Sequence, residues 1–289
     1  MDTYNNTVGK EQRKKYSDLI EGLKKFNPRA IAFFGSYGMG LQDRYSHDVD
    51  IVVYADRIPN EKTKAAVLSS VSDGSIPTVS FPYDVDIFAR QHEFCEVVFK
   101  LCRKIESDVS QLIEGRHDRE EEVAIFVYNT RILYDDGWLY AQRARIKEYP
   151  QKLLATNLLS FLFSALRQVH YYDRAINKRN QPYWAELCLD EGLSSLMHAV
   201  FAANKTYYGK YKWAEVQCRN FKLKPKDFEQ RLTRVMRSRD ITAYQRLALD
   251  VCTLCQEYYP EECANVVAFD SKVRQIDDYI ESQKITRCC

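Results

Sequence analysis

The chain contains 289 residues, of which 45% are hydrophobic and 28% are charged. At roughly 100 to 200 residues per domain, this length predicts two domains that fold without disulfide or metal staples. The composition excludes a fibrous or disordered protein, and the formal net charge of +2 excludes a surface that is basic throughout, although a local basic patch remains compatible with it.

The content of turn-forming residues and the start of the chain narrow the class of protein further. Ten glycines and eight prolines are about half the usual share, which favours long helices over a turn-rich β fold. The first residues are polar throughout and contain no apolar signal-peptide core, so we expect a cytoplasmic protein. The longest apolar stretch, at 153–166, is shorter than the roughly 20 residues that span a bilayer, so we expect no membrane partner.

The first half of the chain mixes helix and strand patterns. Apolar residues spaced by three and four predict a helix over 10–26. Runs rich in β-branched and aromatic residues predict strands over 30–36, 48–54 and 78–89. We also predict helices over 60–72 and 91–113, and a last strand or hairpin over 123–137.

Beyond about residue 145 the pattern is helical. We predict helices over roughly 151–178, 183–204, 225–256 and 260–283. The fold class is therefore α+β, with a mixed-sheet domain over 1–143 followed by an all-α helical bundle over 144–289. A cleft between two such domains is a usual place for a substrate to bind.

Three of the ten glycines follow the strand AIAFF within six residues: Gly35, Gly38 and Gly40. The bare backbone of glycine lets amide groups approach an anion closely, and Ser36 adds a hydroxyl donor. This segment can therefore cradle phosphates. Taken alone, the pattern is explained equally well by a tight turn between a strand and a short helix.

Acidic residues stand on the next predicted strand. Asp48 and Asp50 project to the same side because residues i and i+2 of a strand share a face. Adjacent carboxylates repel unless a cation lies between them, and Mg²⁺ prefers oxygen ligands. The arrangement recurs at Asp84 and Asp86, and convergence of the two strands would suit two ions about 4 Å apart. A single Asp-x-Asp is more often a solvated strand edge, but the ordered set favours a metal site.

The segments FFGSYGMG, SHDVDIVVY and DVDIF, in this order, resemble the minimal form of the nucleotidyltransferase superfamily that includes DNA polymerase beta. The resemblance covers roughly residues 10–140. It implies that Gly35 and Ser36 hold a nucleoside triphosphate. Met39 stands where many relatives carry a basic residue, and Arg44 is the candidate that replaces this charge.

The same resemblance implies a site for two Mg²⁺ ions. The catalytic, metal-binding carboxylates that it implies are Asp48, Asp50 and Asp86. Asp86 is preferred as the third carboxylate because VDIF matches the apolar-Asp-apolar-apolar pattern of the family, and Asp84 is the alternative.

The helical half resembles the C-terminal domains of antibiotic nucleotidyltransferases, mainly through a helix followed by NKTYYGKYKW at 204–213. In such enzymes the helical part closes over the nucleotide. Glu191, which continues the apolar stripe of its predicted helix, is a candidate general base, with a structural salt bridge as the alternative. Lys212 is a candidate contact to the triphosphate, with a solvated lysine beside the packed Trp213 as the alternative.

The resemblance implies transfer of a nucleoside monophosphate, by default AMP from ATP, to an acceptor hydroxyl with release of pyrophosphate. A small hydroxylated acceptor fits the size and near-neutral charge of the chain. A tRNA-like nucleic acid or a protein is the alternative acceptor, because residues 219–239 carry eight basic and two acidic side chains. A non-catalytic nucleotide-binding or antitoxin-like protein is a third possibility, which the complete carboxylate set disfavours. No pattern indicates the oligomeric state.

Overall fold

The computed structural model describes residues 10–43, 46, 48–74, 78–81, 85–91, 93–266 and 268. These residues divide into two compact units. The first unit comprises the described residues up to Ile113 together with Asp118–Glu148. The second unit comprises Glu114–His117 and the described residues from Tyr149 onward.

The first unit is built on a mixed sheet, which has six strands in the described part of the chain. The strands are β1 (Ala30–Phe33), β2 (Asp48–Ala55), β3 (Val79–Phe81), β4 (Val85–Arg90), β5 (Glu93–Leu101) and β6 (Arg131–Asp135). Across the sheet their order is β3-β4-β5-β2-β1-β6. Strands β2 and β5 run parallel, and the other neighbouring pairs are antiparallel.

Helices connect these strands. They are α1 (Lys10–Lys15), α2 (Ser17–Lys24), α3 (Gly35–Met39), α4 (Glu61–Val71), α5 (Cys102–Ile113), α6 (Glu120–Val123) and α7 (Trp138–Arg145). The start of α4 is fixed by Asn60, whose side-chain oxygen accepts a hydrogen bond from the backbone N–H of Thr63 at 2.9 Å.

The two faces of the sheet are covered differently. On the first face, Leu19 of α2 and Leu68 of α4 belong to the same buried apolar cluster as Ile51 of β2. On the second face, the Trp138 ring of α7 packs against Tyr54, with ring centres 5.3 Å apart. Tyr54 lies near the end of β2, whereas Asp48 and Asp50, on the same face at the start of the strand, are only partly buried.

The second unit is helical. Its helices are α8 (Gln151–Asp173), α9 (Pro182–Ala203), α10 (Tyr211–Cys218), α11 (Phe228–Ser238) and α12 (Ile241–Tyr258), followed by helical residues 260–266. Leu158 of α8, Leu196 of α9 and Val251 of α12 lie in one buried core. The predicted α+β class is confirmed. Across the described residues, no helix combines the length and apolar character that crossing a membrane requires.

Several predicted boundaries need correction. The helix predicted over 225–256 is two helices, because Arg239 adopts a left-handed conformation (φ +54°) and Asp240 then caps α12 by accepting from the N–H groups of Thr242 and Ala243. Helix α10 was not predicted. The strand predicted over 78–89 is two antiparallel strands, β3 and β4, in which Phe81 pairs with Val85.

Two segments were assigned the wrong structure. The first part of the helix predicted over 91–113 is strand β5, and only Cys102–Ile113 is helical. The start of the strand predicted over 123–137 is helical, with a π-turn over Ala124–Tyr128 before β6. Short apolar runs that are buried on most sides carry no clear period, and tertiary packing decides their structure.

His198 of α9 is enclosed by aromatic rings. Its ring centre lies 4.3 Å from that of Phe161 and 3.7 Å from that of Tyr208. Burial, followed by the charge of His117, lowers the pKa of His198 to about 4. Within the described residues its Nδ1 is buried and makes no hydrogen bond. The folded protein therefore holds this imidazole neutral.

We expect acid to destabilise the second unit through His198. The unfolded chain binds the proton near pH 6.5 and the folded chain only near pH 4, so the free energy of unfolding should fall as the pH drops between these values, by about 3 kcal/mol in full. Above pH 6.5 this contribution is constant. Denaturant titrations from pH 4 to 8 on the wild type and His198→Phe measure it; parallel pH profiles would contradict it.

Candidate active site

The start of β2 carries two of the predicted site residues. In the parallel pair of β2 and β5, Asp48 lies opposite Phe94 and Asp50 lies opposite Glu96. Residues directly opposite each other project from the same face of a sheet. The second face therefore presents three carboxylates, all partly exposed, and we call Asp48, Asp50 and Glu96 the carboxylate row.

Asp86 does not belong to this row. In the antiparallel pair of β4 and β5 it lies opposite Val97, which in turn lies opposite Ile51 of β2. Asp86 therefore projects to the first face, whereas Asp48 and Asp50 project to the second. The expectation that these three carboxylates converge is wrong, because β5 separates β2 from β4 and the register turns Asp86 away.

Asp86 has structural partners instead. Its side chain is fully buried, its Oδ2 lies 3.2 Å from Nζ of the equally buried Lys64, and its Oδ1 accepts a hydrogen bond from Ser80 at 2.5 Å. Burial acts to lower the pKa of Lys64, but the hydrogen bond to Asp86 and its charge outweigh burial and raise it. The Lys64 ammonium is thus held in its charged form.

Glu96 was missed because its strand was assigned to a helix. The signal was present: Glu96 sits in the run Cys95-Glu96-Val97-Val98, the same apolar-acid-apolar-apolar pattern that selected Asp86. Asp84, the alternative third carboxylate, lies outside the described residues, as does Arg44.

Gly35 brings the glycine-rich turn into contact with the carboxylate row. Its φ is +58°, and a Cβ atom at this position would lie 1.8 Å from Oδ2 of Asp50. The backbone N–H of the preceding Phe34 donates to the carbonyl of Asp50 at 3.0 Å. Glycine is required here both for the left-handed backbone and for the close approach. The turn and the row therefore form one site.

Ser36 offers this site an unused hydroxyl. Its side chain is 4% exposed, and within the described residues its Oγ makes no hydrogen bond. A buried polar atom without a partner costs about 1–3 kcal/mol. A phosphate oxygen bound at the turn would remove that cost.

The donor chemistry of the row fits a hard divalent cation, because its three side chains offer only carboxylate oxygens. As they stand, the described residues contain no group of three or more acidic, histidine or cysteine side chains arranged to hold a metal ion. The register places the backbones of Asp48, Asp50 and Glu96 side by side on two neighbouring strands.

Two further predicted residues lie in the second unit. Glu191 is exposed on α9, and its Oε2 accepts a hydrogen bond from Nε2 of Gln168 at 3.0 Å. Lys212 is exposed on α10, with Nζ 5.3 Å from the ring centre of Trp213. Their roles as general base and triphosphate contact stay predictions.

One comparison with known proteins identifies a domain in the first half of the chain. Residues 16–112 match the family model described as nucleotidyltransferase domain. The chain carries a nucleotidyltransferase domain. The matched residues include the two strands that carry the carboxylate row and the Gly35–Ser36 turn. The match supports nucleotidyltransferase activity and implies a nucleoside triphosphate substrate.

The other comparisons are less informative. Residues 118–214 match a domain of unknown function (DUF4037), and no curated protein matches the chain. A nucleotidyltransferase-like protein from Exiguobacterium sibiricum 255-15 is 13% identical, with 86% of this chain and 78% of that chain covered and a TM-score of 0.41.

Gly35→Ala should damage the nucleotidyltransferase domain at its site. The added methyl group would overlap the Asp50 carboxylate on a backbone that alanine adopts at a cost of about 1 kcal/mol or more. We expect nucleotide binding, measured calorimetrically with a non-hydrolysable triphosphate, to weaken at least about tenfold. Gly74→Ala is the control, since Gly74 also has positive φ (+72°) but nothing within 4 Å of the added atom. Equal binding by both variants would contradict the close packing.

Proposed function

We propose that this nucleotidyltransferase moves a nucleoside monophosphate to a hydroxyl group of a small-molecule acceptor and releases pyrophosphate, with Mg²⁺ as cofactor. The single observation that carries the proposal is the contact between the Gly35 turn and Asp50, which joins a phosphate cradle to a row of carboxylates. ATP is the donor to test first.

The turn would hold the distal phosphates. Ser36 Oγ is the buried hydroxyl donor without a partner in the described structure, and Gly35 leaves the backbone accessible. A phosphate oxygen at this position accepts the hydrogen bond of Ser36 and lies beside the Asp50 carboxylate. The phosphate and the Asp50 carboxylate repel each other unless cations lie beside them, so triphosphate binding should require the divalent ions.

Asp48, Asp50 and Glu96 would hold these ions. When bound, divalent cations neutralise the phosphate oxygens and make the acceptor hydroxyl easier to deprotonate. The three side chains fix where this happens, because they stand on the hydrogen-bonded centre of a sheet. Phosphoryl transfer needs positioning and charge neutralisation more than covalent help, which a rigid row provides.

The strand order indicates the side of the site from which the acceptor approaches. Gly35 follows β1, the Asp50 carboxylate lies on β2, and Glu96 lies on β5, and these strands are adjacent in the order β5-β2-β1. Pyrophosphate held at the β1 side leaves opposite the attacking oxygen in an in-line reaction. The acceptor therefore approaches from the β5 side, where Glu96 is placed to accept the hydrogen bond of its hydroxyl.

A pyrophosphate-release assay tests the proposal. The wild type is incubated with each nucleoside triphosphate, Mg²⁺ or Mn²⁺, and a panel of hydroxylated acceptors, beside Asp50→Asn. We expect acceptor-stimulated release from the wild type and none from Asp50→Asn, which should fold normally because it relieves like-charge repulsion. Full activity in Asp50→Asn would contradict the site. Absence of release under all conditions would favour a non-catalytic nucleotide-binding protein.

One observation favours a nucleic-acid acceptor as the second candidate. In the second unit a groove of about 1040 Å³ is lined by Arg219, which follows α10, and by Arg234 and Arg237 of α11. These three arginines are not engaged in ion pairs within the described structure. Acidic residues also line it, including Glu215 and Asp227. Affinity for a tRNA that falls steeply with salt, and less steeply in Arg234→Gln/Arg237→Gln, would support this candidate.

A further inference from the structure

The second face of the sheet continues past the carboxylate row as an apolar surface. Glu96 lies opposite Ile87 of β4, and Ile87 lies opposite Val79 of β3. In the neighbouring position along β5, Phe94 lies opposite Asp48. We call Val79, Ile87 and Phe94 the apolar shelf. All three share the face of the carboxylates; Ile87 and Phe94 border them directly, and Val79 lies beside Ile87.

The shelf is open. Phe94 is 51% exposed, Val79 is 46% exposed and Ile87 is partly exposed. By contrast, Phe88 of β4 and Phe99 of β5 are 0% and 2% exposed, because they project to the covered first face. A phenyl ring left half-exposed beside a polar site is a feature of ligand-binding surfaces, where apolar groups supply area and a few polar groups fix orientation.

The position of the apolar shelf indicates which of the two substrates it contacts. The Gly35–Ser36 turn lies on the β1 side of the carboxylate row, and the shelf lies on the β4 and β5 side. In an in-line transfer the leaving pyrophosphate and the attacking hydroxyl lie on opposite sides of the α-phosphorus. With the phosphates at the turn, the shelf faces the acceptor and not the triphosphate.

We propose that the apolar shelf binds the acceptor, and that the acceptor is a small alcohol whose reacting hydroxyl is attached to, or directly beside, a flat ring. This inference rests on the proposed function and names its substrate class. The ring stacks on Phe94, and its edge contacts Ile87 and Val79, which brings the hydroxyl over Glu96. Stacking of a flat ring on an exposed aromatic side chain strengthens binding by about tenfold.

The chemical step involves only the acceptor, the nucleoside triphosphate and Glu96. The acceptor oxygen forms a bond to the α-phosphorus, and the bond from that phosphorus to the oxygen bridging to the β-phosphate breaks. Pyrophosphate leaves with the electron pair, and the hydroxyl proton passes to the Glu96 carboxylate and then to solvent. Phe94 touches no reacting atom, so its part is to position the acceptor.

A matched pair of probes tests the shelf. Phenyl β-D-glucoside and methyl β-D-glucoside carry the same sugar hydroxyls, and only the first carries an aromatic ring. Their binding is measured by ligand-observed NMR on the full chain saturated with a non-hydrolysable ATP analogue and Mg²⁺. The variants are Phe94→Ala, Phe94→Trp and Tyr140→Ala, the last being a control at an exposed aromatic residue on α7.

We expect the phenyl glucoside to bind about tenfold more tightly than the methyl glucoside. This preference should vanish in Phe94→Ala and persist in Phe94→Trp and Tyr140→Ala, with ATP-analogue affinity unchanged throughout. Equal binding of the two probes by the wild type, or a preference that survives Phe94→Ala, would overturn the inference. Weakened analogue binding in Phe94→Ala would also overturn it, because Phe94 would then stack on the base of the donor.

The same samples separate the inference from the function on which it rests. Pyrophosphate release from ATP is measured in parallel, with each glucoside and with the panel of hydroxylated acceptors. Pyrophosphate release without a preference for the phenyl glucoside contradicts the apolar-shelf inference and leaves the proposed function standing. A ring preference without release under any metal condition refutes the proposed function and leaves the shelf as a ring-binding surface.

Discussion

Glu96→Gln should lower the rate of pyrophosphate release by about a hundredfold or more and leave the free energy of unfolding nearly unchanged. The loss of one preorganised charge-stabilising group costs on the order of 10²–10³ in rate. Glu96 is partly exposed beside Asp50 on the same face, so its neutralisation relieves repulsion and opens no cavity. Initial rates at saturating nucleotide and Mg²⁺, with chemical denaturation of the same preparations, measure both quantities.

Glu93→Gln is the matched control for this prediction. Glu93 is also a glutamate of β5, but it lies three residues from Glu96, on the opposite face, where it pairs with Lys15 at 2.6 Å and accepts a hydrogen bond from Tyr16 at 2.9 Å. Its variant should keep the wild-type rate within about threefold, the loss of a surface ion pair being small. A Glu96→Gln enzyme as active as Glu93→Gln would remove Glu96 from the site.

Asp86→Ala should lower the free energy of unfolding by about 3–5 kcal/mol, the usual cost of leaving one partner of a buried ion pair alone. The variant removes the buried carboxylate beside the buried ammonium of Lys64, whereas the carboxylate of Glu61, 3.4 Å from that ammonium, is exposed. Urea denaturation followed by circular dichroism measures the change.

Two further variants make the stability result specific. Glu61→Ala removes the exposed partner of Lys64 and should cost less than about 1 kcal/mol. Asp86→Leu combined with Lys64→Met replaces the pair by apolar side chains and should restore most of the stability lost in Asp86→Ala. An Asp86→Ala protein that is fully stable yet inactive would return Asp86 to the catalytic site.

The parts of the fold predicted from sequence are those with a strong local signal. Strand β2 begins with alternating acidic and apolar residues and continues as an apolar run, and α4 begins at an asparagine cap. The Gly35–Ser36 turn was predicted from glycines concentrated after a strand, and its contact with Asp50 supplies the physical reason that Gly35 must be glycine.

The third carboxylate could not be assigned from sequence because register is a long-range property. Asp86 and Glu96 both sit in apolar-acid-apolar-apolar runs, and nothing local separates them. Only the pairing of β5 between β2 and β4 decides which acid shares a face with Asp48 and Asp50. A one-residue difference in register moves a side chain to the opposite face of a sheet.

The second unit shows a similar limit. The predicted local charge of residues 219–239 was correct as a count, yet the structure uses part of it internally. Lys224 pairs with Glu229, Arg231 pairs with Asp250 and Arg239 pairs with Glu186 and Asp190. Which cations remain for a ligand depends on these contacts, which composition does not encode.

The most direct test of the site is a crystal structure with a non-hydrolysable nucleoside triphosphate and Mn²⁺, in which anomalous scattering locates the metal. The carboxylate-row assignment predicts metal peaks bounded by Asp48, Asp50 and Glu96, with triphosphate oxygens against Ser36 and Asp86 still paired with Lys64. Metal bound at Asp86, or a triphosphate held away from the Gly35–Ser36 turn, would contradict it.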